Sequence, residues 1–148
     1  MEYVFFDTAA LVKRYYEEEG TEKVDSIIGD PDTTVIITSL SILETVSAFR
    51  RKYNAGDIGE GEMNVLLSEF FREALHDFVI LPVGETMHGD AFDRILEDDL
   101  RTLDSLQFAA ARVSREELDS FRFVSADSDL VEVARKHGMD TINPEVAG

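Results

Sequence analysis

Tyr3-Val4-Phe5-Phe6-Asp7-Thr8 is the stretch whose reading decides the fold. Four apolar residues, three of them aromatic, run straight into a carboxylate. The run is short, continuous and without period-two alternation. That is the pattern of a strand buried on both faces, as at the centre of a parallel sheet. Asp7 then stands where the strand leaves the core. In open α/β sheets, ligands bind outside the carboxyl ends of the strands, near the point where strand order reverses. Asp7 is therefore the residue around which a site is sought.

Outward from this strand, apolar runs alternate with helical periodicity. A helix is expected over Ala9–Glu18, with Leu11, Val12 and Tyr15 inward and Gly20 as its stop. A short helix with Val24, Ile27 and Ile28 inward begins at Thr21, and Gly29-Asp30-Pro31-Asp32 is a turn. Thr34–Thr38 is a β-branched second strand. Helices follow from Ser41 to Tyr53, with Ile42, Leu43, Val46 and Phe49 inward, and from Met63 to Leu75, apolar at Val65, Leu66, Phe70 and Leu75. Asp77–Pro82 is the third strand. Glu85–Asp99 and Thr102–Ala111 are helical, and Phe121–Ser125 is the fourth strand. A helix over Ser128–His137 and a short fifth strand at Thr141–Pro144 close the chain. Strands separated by helices imply an α/β fold: three α/β/α layers around a central parallel sheet of four to five strands, in one domain over residues 1–148.

The composition bounds the function. There are no cysteines, which excludes disulfides, thiolate metal sites and Cys nucleophiles. No apolar run approaches membrane-spanning length and no leader pattern opens the chain, so a cytoplasmic protein without a membrane role is expected. The formal charge of −17 repels polyphosphate. Any nucleic-acid role must rest on a local basic patch or a bound metal, and the same acidity suits a basic protein partner.

Four acids stand out, each with an innocent explanation. Asp7 and Asp127 each follow a strand and precede a helix, so either is an N-cap or a ligand. Glu44 lies three residues after Ser41, the spacing of a capping box, but also just beyond the second strand. Asp104 opens a strongly apolar helix, where the helix dipole favours an acid and burial demands a partner for it. Asp129, already inside its helix, shares either role. With parallel strands, Asp7, Glu44 and Asp127 emerge at one edge of the sheet. Unpaired carboxylates so placed raise each other's pKa and persist cheaply only around cations. Oxygen ligands without nearby His select Mg²⁺ or Mn²⁺ over zinc. Such an ion can orient a phosphodiester, activate water and neutralise a departing oxyanion.

The ordered motifs FFDTAALVKRYYEEEG, ITSLSILETVSAFRRK, LRTLDSLQFAAA and FRFVSADSDLVEVARKHGM followed by INPE cover nearly the whole chain. Together they resemble the PIN-domain family, most closely the VapC-type toxins of toxin–antitoxin pairs. The resemblance implies a metal-dependent endoribonuclease with its metal acids at Asp7, Glu44, Asp104 and Asp127, and Thr8 orienting the first Asp or a metal water. It implies a homodimer, a small basic antitoxin that threads a segment into the acidic site, and a higher toxin–antitoxin assembly. Many relatives carry His where Gln107 stands, and no catalytic weight is attached to that position. Lys13 and Arg14, just after Asp7, are candidates to hold an RNA phosphate, and Arg50, Arg51 and Lys52 cluster at a helix end. Tyr15, Tyr16 and Phe49 are assigned to packing ahead of base stacking. His76, His88 and His137 are scattered and receive no chemistry.

Three rivals fit less well. A haloacid-dehalogenase-type phosphatase needs a second Asp where Ala9 stands. A receiver domain needs an acidic pair near the first strand and a late Lys. A flap-type DNA nuclease needs a helical arch. A PIN-like module that binds RNA or protein without cutting is the alternative from another class.

Overall fold

The computed structural model describes residues 1–146. Five strands form one parallel sheet: β1 (Glu2–Phe6), β2 (Thr33–Thr38), β3 (Val79–Leu81), β4 (Phe121–Val124) and β5 (Asp140–Ile142), in the order β3-β2-β1-β4-β5. Every pairing is parallel. The helices are α1 (Thr8–Leu11), α2 (Thr21–Ile28), α3 (Ser39–Asn54), α4 (Glu60–Asp77), α5 (His88–Asp98), α6 (Thr102–Glu116) and α7 (Ser128–Lys136).

β1 is the central strand, and Val4, Phe5 and Phe6 are fully buried. Val4 and Phe6 face a core built with α1, α2, α3 and α4, through Leu11, Val24, Phe49 and Phe70. Phe5 faces the opposite core, built with α5, α6 and α7, through Ala91, Phe108 and Leu130. These are the three expected layers, with the sheet at five strands. Strand order reverses beside β1, whose neighbours are β2 on one side and β4 on the other. No helix of the described residues is long and apolar enough to cross a membrane.

Three local expectations are corrected. The helix expected over Ala9–Glu18 breaks after α1 into a single 3₁₀ turn, Val12–Arg14. The Thr21 hydroxyl takes the Lys13 carbonyl (2.9 Å) and accepts from the Glu18 N–H (3.0 Å), so the next helical turn loses its partners. Leu43, expected inward, is exposed, as are the apolar Val65 and Leu75 of α4. The helix carrying Leu43 starts earlier than expected, at Ser39, and buries the stripe Ser41-Thr45-Phe49. Its N-cap is Thr38, whose side chain accepts from the Ser41 N–H (3.1 Å). The Ser41–Glu44 capping box therefore does not form, and Glu44 is free for other partners.

Candidate active site

The carboxyl ends of β1, β2 and β4 carry the site. Asp7 follows β1 directly and caps α1: its Oδ1 accepts from the Ala10 N–H (3.0 Å). Its Oδ2 accepts from the Ser125 hydroxyl just beyond β4 (2.6 Å). The cap itself holds the carboxyl at the sheet edge, so the two readings of Asp7 do not compete. Asp7 is 4% exposed, and burial pushes its carboxyl up to about 7. The Ser125 and Ala10 hydrogen bonds oppose the rise, while the charges of Asp104 and Asp127 add to it.

Asp127 caps α7 in the same way, its Oδ1 accepting from the N–H groups of Asp129 (3.0 Å) and Leu130 (3.3 Å). Asp104 stands half-buried in the first turn of α6. Its carboxyl is raised, chiefly by burial, then by the charges of Asp127 and Glu44, with Arg101 acting the other way.

Glu44 is held by a polar network that the sequence did not announce. The Gln107 side-chain amide donates to Glu44 Oε1 (2.9 Å) and to Ser41 Oγ (2.7 Å). Its carbonyl accepts from the Thr38 hydroxyl (2.9 Å). The Thr8 hydroxyl also donates to Glu44 Oε1 (2.9 Å). Thr8 therefore orients Glu44, where the resemblance pointed to Asp7 or a metal water. Gln107 is 2% exposed, beside the buried run Phe108-Ala109-Ala110-Ala111 of α6. A buried amide in such a setting must be paired, which is the one sequence signal that could have found it.

Asp7, Glu44, Asp104 and Asp127 line one pocket of about 490 Å³, together with Thr8, Gln107 and Arg51. No base is ion-paired to any of the four among the described residues. No three acids close into a finished chelate among the described residues. The donor set still fits a hard divalent cation. It is all oxygen, it lines one pocket from four elements, and two of its carboxyls are pushed up by burial and by the neighbouring carboxylates.

Lys13 and Arg14 are not brought to this pocket. Lys13 is buried, and its ammonium pairs with Glu18 (3.1 Å) and Glu145 (2.6 Å). Arg14 is committed to Glu73 (2.8 Å) and Asp25 (3.1 Å). Both are structural ion pairs, and the phosphate role expected of them is withdrawn. Asp129 is exposed and gives Asp127 only its backbone N–H. Tyr15 packs edge-on against Phe49 and Phe70, in the core. His137 contacts Asp98 (3.0 Å) away from the pocket.

A family model described as PIN domain matches residues 4–136. No curated protein matches the chain in sequence. Among solved structures, the chain is similar to the Mycobacterium tuberculosis toxin VapC20, described as sarcin-ricin loop cleaving (TM-score 0.68, 14% identity, 98% of this chain and 99% of that one). It is also similar to FitAcB from Neisseria gonorrhoeae (TM-score 0.66, 17% identity, 95% and 97%). A third likeness is to a toxin–antitoxin complex from Klebsiella pneumoniae (TM-score 0.64, 14% identity, 95% and 97%). At these identities the likenesses speak for the fold.

Proposed function

The chain belongs to the PIN domain family, and from that premise we propose that it is a divalent-metal-dependent endoribonuclease, the toxin of a toxin–antitoxin pair. The observation that carries the reading is the convergence of four carboxylates, none with a basic partner among the described residues, on one pocket at the switch point of the sheet. Asp7, Glu44, Asp104 and Asp127 would hold the ion. Bound there, Mg²⁺ or Mn²⁺ supplies neutralising charge and water of lowered pKa for phosphodiester hydrolysis.

The chain's own part is preorganisation. Ser125 and the Ala10 N–H fix both oxygens of Asp7. Gln107 and Thr8 hold Glu44 by Oε1, which leaves Oε2 for the pocket. A donor set locked by such partners needs little rearrangement on binding. The RNA-cleaving description of VapC20 and the toxin–antitoxin complex among the similar structures support the substrate class and the partner. The −17 charge suits a basic antitoxin segment. Exposed Phe92, Ile95 and Leu96 on α5 support a homodimer, which light scattering tests.

The deciding experiment is cleavage of single-stranded RNA with Mn²⁺ against a chelator, for the wild type and for Asp7→Asn. Cleavage is expected only in the metal-loaded wild type, with the variant folded by circular dichroism. A folded wild type that binds RNA but never cuts it returns the reading to a non-catalytic binding module.

A further inference from the structure

The wall of the pocket that α3 contributes runs well beyond the acids. Leu40, Leu43, Glu44, Ser47, Ala48 and Arg51 all line it. Their spacing of three and four residues is one face of a helix. Glu44 and Arg51 are seven positions apart, two turns or about 10.5 Å along the axis. A second hollow of about 330 Å³ shares Val12, Ala48 and Arg51 with the first, and continues to Lys52 and Ala55. The two make a trough along α3: the first hollow carries the acids at the start of the helix, and the second, which Glu18 and Asp57 also line, carries Arg51 and Lys52 at its end.

Arg51 is the one base of the Arg50-Arg51-Lys52 cluster that lines the acid pocket. Arg50 lies over the ring of Tyr53 (5.0 Å), and Lys52 lies over Tyr16 (3.9 Å) and near Glu18 (3.7 Å). Arg51 is exposed and meets no carboxylate among the described residues. Its Nη1 donates to Ser47 Oγ one turn back (2.7 Å), which aligns the side chain along the trough. The rest of the guanidinium fork stays open, and that fork matches phosphate geometry. Ala48 and Ser47 beside it leave room for a backbone to lie close. In a chain of charge −17, a phosphate near the acids needs a local base, and Arg51 is the base in this pocket's lining.

We propose that the α3 trough is a track for the RNA backbone, with Arg51 clasping a phosphate on one side of the cleavage position. The assignment rests on the nuclease reading and deepens it. The test uses a fluorescent single-stranded RNA of randomised sequence, its binding followed by anisotropy with Ca²⁺ and its cleavage with Mn²⁺. Arg51→Gln is expected to weaken binding roughly five- to tenfold and to flatten the dependence of log K on log salt by about 0.7, one phosphate contact. Arg50→Gln makes the same charge change off the trough and is expected to shift binding less than about twofold. Binding and salt slope unchanged in Arg51→Gln, with a wild type that cleaves, overturn the track alone. A wild type that binds through Arg51 but never cleaves leaves the track standing and removes the nuclease reading. A wild type that neither binds nor cleaves overturns both.

Discussion

At Asp7, ionisation and folding are coupled. Its carboxyl rises from 3.8 to about 7 on burial. The unfolded chain therefore loses this proton first as pH climbs, and stability falls between those two values. The shift corresponds to about 4 kcal/mol, present as a penalty above pH 7 and absent below the unfolded pKa. Asn at this position keeps an oxygen for the Ala10 N–H and carries no charge to bury. In chelator, Asp7→Asn is expected to exceed the wild type in urea midpoint near pH 8 and to match it near pH 4. An equal difference at both pH values would refute burial as the cause. Gln107 poses the opposite case. Gln107→Leu strips Glu44, Ser41 and Thr38 of one partner each, so a loss of about 1–3 kcal/mol in denaturant titration is expected. Gln107→Glu sets a second carboxylate against Glu44 and is expected to cost at least as much.

At the scale of elements, α3 shows what the sequence holds in plain view and what it hides. β1 was legible because its apolar run is short, aromatic-rich and unbroken, and the strand–acid–helix order put Asp7 and Asp127 at one edge. The start of α3 was not legible. Ser41 and Glu44 have capping-box spacing, but Thr38, ending β2, caps first and lengthens the helix. That decision is made by β2 delivering Thr38 to the sheet edge, which local pattern does not encode. Lys13 and Arg14 sit close to Asp7 in sequence, yet the turn after α1 carries them to Glu145 and Glu73, partners remote in the chain. Gln107 was given no weight because it stands where many relatives carry His, and its amide has no charge to signal a site. Thr38→Val removes both the cap and the donor to Gln107, and a loss of about 1–3 kcal/mol is expected from thermal unfolding. Ser at that position is expected to restore most of it.

At the scale of the whole molecule, self-repulsion of a −17 chain and the acids of the pocket respond to different ions. Monovalent salt screens the general field and should raise the melting temperature of wild type and Asp104→Asn alike. Mn²⁺ should add a specific rise in the wild type, roughly 5–10 °C at a hundredfold excess over its dissociation constant, and much less in Asp104→Asn. Equal Mn²⁺ shifts in both proteins would show that the ion acts only on the general field.

The pairing of β1 with β4 has a consequence for the order of events during synthesis. Residue 7 meets its hydroxyl donor at Ser125, and the last acid of the pocket is Asp127. A ribosome-bound chain that has not yet released β4 lacks the central strand's second neighbour and cannot seat Asp7. Whatever this pocket does, it begins only once the chain has been made past Asp127, so a fragment that stops short of β4 holds no complete pocket.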